Sequence, residues 1–166
     1  LKINNTGMVV LGSWAILNIS TGAYGWSRFN GSDQYFYQMN LFWNMVNLSI
    51  AGFALYSNIH TDYSSWDQGR FLEKQLKTQN LFLINAGLDV GYVGGGFLLR
   101  YLSDKYPEHS NRLKGYGNSV ILQGAFLFVF DLVMYGVQRG HRGQFLEQLS
   151  LSSLTDAWGL ALHIHF

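Results

Sequence analysis

Residues 34–61 read QYFYQMNLFWNMVNLSIAGFALYSNIHT and contain no Lys, Arg, Asp or Glu. A helix of about 20 mostly apolar residues crosses the hydrocarbon core of a bilayer, so this stretch is long enough to span a membrane. The pattern recurs along the chain, because residues 3–27 carry no charge, residues 78–99 carry only Asp89, and residues 115–138 carry only Asp131. The sequence therefore predicts an all-α membrane protein, a four-helix transmembrane bundle.

The composition of the whole chain agrees with a membrane protein. Its 166 residues are 48% hydrophobic, 16% aromatic and 13% charged, whereas an average soluble domain has about 25% charged residues. The formal net charge is +1 and no long basic run occurs, so nucleic acid is not an expected partner. The chain has no Cys, which excludes thiol catalysis, disulfides and Cys-ligated metal.

The predicted transmembrane domain covers residues 1–142, and its spans lie at about residues 6–26, 35–59, 78–99 and 117–138. The string Asn30-Gly31-Ser32-Asp33 predicts a tight turn between the first two spans. We expect a short surface helix over residues 66–77, and a break at Pro107 between the last two spans.

Residues 143–166 are predicted to form an amphipathic or extended tail that lies at the membrane interface or binds a partner. Residues 160–166 alternate in polarity and end on an aromatic residue, so a β-barrel is the alternative fold. Runs such as residues 126–130, FLFVF, do not alternate and favour helices. Lys and Arg divide almost evenly between the two sides, which leaves orientation open. The first residue is Leu1, which is compatible with a removed signal peptide or a boundary within a longer chain.

Each predicted helix carries polar residues at helical spacing, close to the middle of its span. The two acids among them cost about 2.5–3.5 kcal/mol each to insert, and no Lys, Arg or His lies within a predicted span to pair with them. A proton or cation site is one interpretation; protonated acids that hold helices together by hydrogen bonds are the other. The candidate site comprises Asp89, Asp131, Asn18, Asn44, Asn47, Asn85 and Gln123.

Other features of the sequence carry less chemistry. Gly87, Gly91 and Gly95 in the third span are expected to form a packing surface. No phosphate-binding loop, H-E-x-x-H motif or nucleophile elbow is present. We therefore expect no catalytic residues, no cofactor and no metal site.

Several strings resemble a family of small bacterial four-span integral membrane proteins of unknown function. They are residues 7–14 (GMVVLGSW), 38–48 (QMNLFWNMVNL), 88–93 (LDVGYV), 115–117 (GYG) and 122–127 (LQGAFL). The resemblance covers nearly the whole chain and implies a bacterial membrane, in the first place the inner membrane, with an outer-envelope location as the alternative. It implies no activity.

Three functional hypotheses follow. The first is a non-enzymatic accessory or assembly subunit of a larger envelope complex, because four spans with short connections leave little material for a catalytic domain. The second is a small oligomeric transport protein, coupled to protons or cations, that uses Asp89 and Asp131. The third is a membrane enzyme that acts on lipid or quinone. The expected partners are the lipid bilayer and either other membrane subunits or further copies of the chain.

Overall fold

The computed structural model describes the backbone of residues 2–163 and the side chains of residues 3–67 and 69–143. The described residues form four α-helices, with a short 3-10 turn at Pro107–His109, and contain no strand. The helices are α1 (Lys2–Arg28), α2 (Gly31–His60), α3 (Gln68–Lys105) and α4 (Ser110–His163). Each predicted span lies inside one of these helices, so the all-helical prediction is confirmed.

Among the described residues, three helical stretches are long and apolar enough to cross a membrane, by length and composition. They are Ile3–Arg28, Gly69–Lys105 and Pro107–Gly143, from α1, α3 and α4. Helix α2 is not among them. Its sequence has a high content of Asn, Gln, Ser and Tyr, which lowers its mean hydropathy although it carries no charge after Asp33.

The connections explain where the helices end. Only Phe29 and Asn30 separate α1 from α2, and α2 starts at Gly31, whose φ of +64° lies in the region that disfavours a side chain. Pro107 ends α3, as predicted, because proline lacks a backbone N–H and cannot continue a helix. The α1–α2 pair is therefore an antiparallel hairpin.

The structure specifies two local predictions. The helix expected over residues 66–77, leading into the third span, is the first part of α3, which runs unbroken from Gln68 and is capped by Asp67, whose Oδ1 accepts a hydrogen bond from Arg70 N at 2.9 Å. Of the two forms expected for the tail, the extended one does not occur up to His163, because α4 continues as helix to that residue. Residues 164–166 lie outside the described residues, and so do the side chains on which an interfacial or partner-binding role of the tail depends.

Helix α4 holds the bundle together. It packs along both α2 and α3, while α1 packs mainly on α2. In the part of the chain that the structure describes, the backbones of α2 and α3 stay apart although the two helices are consecutive in sequence, and long side chains bridge the gap. A cleft therefore remains between them.

Glycine allows the close approach of α3 and α4. A Cβ atom on Gly96 would lie 2.8 Å from Gly117 O, and one on Gly117 would lie 2.7 Å from Gly96 O, so neither position accepts a side chain without a shift. This is how small residues bring transmembrane helices together. Gly87, Gly91 and Gly95, predicted to form a packing surface, pack against no other described residue of this chain, because a Cβ on any of them would meet none within 4 Å.

The polarity of the molecule is reversed relative to a water-soluble protein. Gln123 and Asn44 are fully buried and Asp89 is 3% exposed, whereas Phe53 and Ile59 on α2 are 75% and 70% exposed. Apolar outer faces and polar inner faces suit a helix bundle in lipid, where every polar group must find its partner inside the protein.

A cluster of aromatic rings and cations lies at the α2–α3 connection. Lys74 Nζ donates to Tyr63 OH at 2.7 Å and lies 4.6 Å from the centroid of the Tyr63 ring, and the Arg70 guanidinium lies 4.8 Å from the Trp66 ring. Aromatic side chains with basic neighbours are typical of the boundary between membrane and water. The cluster therefore has the composition expected where a membrane-spanning helix meets water.

Candidate functional site

A network of buried amides joins α1, α2 and α4. Oε1 of Gln123, on α4, accepts a hydrogen bond from Trp14 Nε1 on α1 at 3.0 Å. Nε2 of Gln123 donates to Asn18 Oδ1 at 3.4 Å and also to Asn40 Oδ1 on α2. Asn40 Nδ2 donates in turn to Asn18 Oδ1 at 2.8 Å. One glutamine thus makes hydrogen bonds to both helices of the α1–α2 hairpin.

The network extends along α2. Asn44 Nδ2 donates to the Asn40 carbonyl oxygen at 2.8 Å, and Asn47 Nδ2 donates to Asn44 Oδ1 at 3.5 Å. Spacings of four and three residues place these three side chains on one face of the helix. Asn40 links α2 to α1 and α4, whereas the hydrogen bonds of Asn44 and Asn47 stay within α2 and continue the polar face along it.

A pair of acids lies at a second level of the bundle. Asp131 follows Gln123 by eight residues, or about 12 Å along α4. The carboxyl groups of Asp131 and of Asp89 on α3 lie within hydrogen-bonding distance of each other. Both side chains are at least 95% buried. Two carboxylate anions repel each other at this separation, so a proton shared between the two carboxyl groups would stabilise the pair.

Asp89 has a further oxygen that requires a donor. Its Oδ2 is buried and accepts a hydrogen bond from no N–H or hydroxyl group of the described residues. Buried polar atoms are almost always hydrogen-bonded, and each exception calls for an explanation. A proton on the pair or a ligand beside it would supply the missing donor.

The acid pair lines a cavity of about 420 Å³. The cavity occupies the cleft between α2 and α3, and the described residues that line it include no Lys, Arg or His. Trp43 of α2 and Tyr92 of α3 reach across the cleft with their ring centroids 5.0 Å apart and their planes at 88°. Asn47 and Asn85 also line the cavity, and the remaining lining is mostly apolar.

The structure divides the seven predicted site residues into two groups. It brings together Asp89 and Asp131 directly, and it places Asn47 and Asn85 around their cavity. Asn18, Asn44 and Gln123 belong to the amide network instead. Asn47 is common to both groups. Asn85 is exposed and forms only the edge of the cavity.

The predicted site left out four residues that complete these features. Trp14 and Asn40 belong to the amide network, and Trp43 and Tyr92 meet across the cleft. Trp14, Asn40 and Tyr92 lie at helical spacing from predicted site residues, so the pattern that selected the site places them on the same polar faces. Trp43 stands four residues before Asn47, and that spacing could have found it. The contact between the two rings depends on how α3 lies relative to α2, which gave no signal.

Together the fold and site define an all-helical protein with three candidate membrane-spanning helices, a buried amide network and an acid pair beside a cavity. The chain belongs to the family of unknown function DUF6992, whose model matches residues 10–132. That range includes all seven predicted site residues, and the match agrees with the resemblance to an uncharacterised family. No curated protein and no solved structure shows detectable similarity to the chain.

Proposed function

We propose that this protein is a small membrane transport protein that exchanges protons for another cation at the Asp89–Asp131 pair. The observation that carries the proposal is the position of the pair: two buried acids in direct contact line a cavity, and one of their oxygens lacks a donor. Acids in a transmembrane segment are costly and rare, and they commonly mark proton or ion pathways.

The cavity favours exchange over a purely structural role. Acids that serve only to link helices need no space around them, since their hydrogen bonds are complete once the helices pack. Here the pair faces a cavity of about 420 Å³ with two amide side chains on its walls. A group that takes the place of a proton therefore has room and polar partners beside the acids.

Transport requires that all four helices lie in the membrane, and we place α2 there as the fourth span. The asparagines that lower its hydropathy, Asn40, Asn44 and Asn47, are all at least 94% buried. Its outer face carries Phe42, Val46 and Phe53, which are exposed and apolar. An average over composition mixes the two faces, whereas lipid contacts only the outer one. The inner membrane of a bacterium, which the resemblance implies, would supply a proton gradient.

The test is cation-driven proton movement in proteoliposomes that contain the purified protein and a pH-sensitive dye. We expect Asp89→Asn and Asp131→Asn each to abolish proton flux, because an amide cannot release a proton. Asp104→Asn is the matched control, since Asp104 is an exposed acid on the same helix as Asp89. Wild-type flux in both pair variants, or loss of flux in the control alone, would contradict the proposal.

An accessory or assembly subunit is the second candidate, and the outer face of α3 favours it. Gly87, Gly91 and Gly95 lie there with nothing within 4 Å of their Cβ positions, between exposed Ile84 and Leu98. Small residues on an apolar helix face allow close contact with another transmembrane helix. Native mass spectrometry after mild extraction distinguishes the cases: a stoichiometric foreign subunit that Gly91→Leu displaces supports this candidate, and a chain without foreign partners contradicts it.

A further inference from the structure

The cavity beside Asp89 and Asp131 also indicates what the exchanged cation is. Its walls combine one acid pair, one aromatic pair and apolar side chains, and this combination restricts the chemistry of the ligand. We infer that the cavity binds a monovalent lipophilic organic cation, which enters from the lipid phase between α2 and α3. This inference names the substrate class of the proposed exchange and rests on that proposed function.

The sign of the ligand charge follows from the charged groups at the cavity. The acids of α3 and α4 are the charged residues among its described lining residues, and α1 and α2 contribute only uncharged side chains such as Met8, Leu11 and Asn47. An anion would meet no positive group there. Since the pair retains one proton, it offers a single negative charge, which matches a monovalent cation.

The size and polarity of the cavity disfavour a bare divalent ion as its ligand and favour an organic cation. Hard cations such as Mg²⁺ and Ca²⁺ require about six to eight oxygen ligands at short distances. Here two carboxyl groups and the amides of Asn47 and Asn85 are surrounded by apolar side chains. A cavity of about 420 Å³ falls within the range of about 300–1,000 Å³ that is usual for small organic ligands.

The aromatic pair supplies the second element of recognition. Trp43 and Tyr92 stand edge to face, with centroids 5.0 Å apart, and both line the cavity. Aromatic faces attract organic cations, and tryptophan does so most strongly. In such a cavity the acid binds the charge of the organic cation, and the aromatic rings bind the apolar part of the cation.

The route of entry follows from the helix packing. Helices α2 and α3 leave a cleft between them, and the residues at its edges, Val46, Ile50 and Leu88, are 60%, 55% and 54% exposed. These apolar side chains face the surroundings of the bundle rather than its core. A lipophilic cation dissolved in the bilayer therefore reaches the acids without crossing a polar surface.

In the exchange that we infer, the neutral pair holds two protons before binding. One proton leaves for each monovalent cation that binds and the other stays between the carboxyl groups, so charge is conserved. The proton leaves the carboxyl group whose hydrogen bond breaks, and the positive charge of the cation replaces the positive charge of the proton. Binding therefore competes with protonation, and it weakens as the pH falls. The titratable groups among the described residues that line the cavity are Asp89 and Asp131 and the hydroxyl of Tyr92. The carboxyl groups exchange the proton, and charge balance sets one proton per cation.

The test is equilibrium dialysis of tetraphenylphosphonium against the purified full chain in detergent. We expect saturable binding with release of about one proton per cation into weak buffer. Tetraphenylborate, an anion of the same shape, is the ligand control and should not bind saturably. Asp89→Asn or Asp131→Asn should weaken binding at least tenfold, whereas the control Asp104→Asn should leave it unchanged.

Two further variants separate binding from folding. Trp43→Leu should weaken binding about 3- to 30-fold, as expected for loss of a cation–π contact. Val46→Trp should block the mouth of the cleft and leave the acids intact. Each variant is compared at equal helicity by circular dichroism, so that loss of binding is not loss of fold.

The outcomes distinguish this inference from the proposed function. Equal binding of phosphonium and borate, no saturable phosphonium binding, or unchanged binding in the Asp89→Asn and Asp131→Asn variants would overturn the inference. Acid-dependent proton flux driven by Na⁺ or K⁺ without phosphonium binding would leave the exchange function standing and remove this substrate class. Phosphonium binding without any acid-dependent flux would keep the binding site and remove transport.

Discussion

Replacing Gln123 with methionine tests whether the amide network stabilises the bundle. Methionine has a similar shape but no amide, so Gln123→Met removes the hydrogen bonds to Trp14, Asn18 and Asn40. At the transmembrane average of about 0.6 kcal/mol each, the three bonds contribute about 2 kcal/mol. The Trp14 N–H then lacks its acceptor inside the bundle, which adds about 1 kcal/mol or more. We therefore expect a loss of about 3 kcal/mol in the free energy of unfolding.

The assay is reversible unfolding in mixed micelles, followed by circular dichroism. Leu122→Met is the matched control, because Leu122 is the adjacent residue on α4 and is 41% exposed. Trp14→Phe keeps a ring for the stack on Phe126 and loses the N–H donor, so a double-mutant cycle with Gln123→Met isolates their hydrogen bond. If Gln123→Met unfolds within about 0.5 kcal/mol of Leu122→Met, the network has no stabilising role and the reasoning fails.

Three other predictions concern packing, the membrane and the α2–α3 connection. Gly96→Ala should lower the thermal unfolding temperature because its Cβ would lie 2.6 Å from Ile121 Cγ1, whereas Gly91→Ala should be neutral or stabilising; equal effects would contradict the packing described. The chain has no Cys, so single cysteines can be labelled selectively. In lipid vesicles, Phe53→Cys on the outer face of α2 should resist a membrane-impermeant maleimide, and Ser64→Cys in the α2–α3 connection should react. Rapid labelling of both would show that α2 does not lie in the bilayer. The Ser64 hydroxyl and N–H donate to Asp62 Oδ1 and hold the pKa of Asp62 below its ordinary value. The turn at Asp62 and Ser64 should therefore be ordered at a pH above the ordinary pKa of Asp62 and lose its order as the pH falls through the lowered pKa. The loss should appear as faster amide hydrogen exchange at Ser64. An exchange rate that follows only the intrinsic pH dependence would refute this prediction.

The helices and their inner faces could be predicted from the sequence for a simple physical reason. Charge is so costly in lipid that its absence over 20 or more residues indicates a span, and a repeat of three and four residues identifies one face of a helix. This reasoning selected Asn44, Asn47, Asp89 and Gln123. Each of them except Asn47 belongs to one feature alone, either the amide network or the acid pair with its cavity. Asn47 belongs to both of them.

The arrangement of the helices could not be predicted in the same way. A polar face shows that a helix has a partner but does not show which one, so the packing of α4 between α2 and α3 gave no signal. Glycines show the same limit: Gly96 and Gly91 lie in one helix and look alike in sequence, yet only Gly96 meets another backbone. The cavity between α2 and α3 exists because the backbones of these consecutive helices stay apart. No local sequence pattern predicts that separation.

The composition of α2 has a consequence for how the protein is made. A segment with three asparagines along one face is poorly suited to leave the translocon for lipid alone, because each amide would lie unpaired in hydrocarbon. If α2 is the fourth span, its two-residue connection to α1 would favour insertion of both segments as one hairpin, in which Asn18 meets Asn40. Gln123 is synthesised more than 80 residues after Asn40. Such a hairpin would keep amide groups unpaired until α4 is synthesised, and a chain truncated before α4 would leave them without these hydrogen bonds.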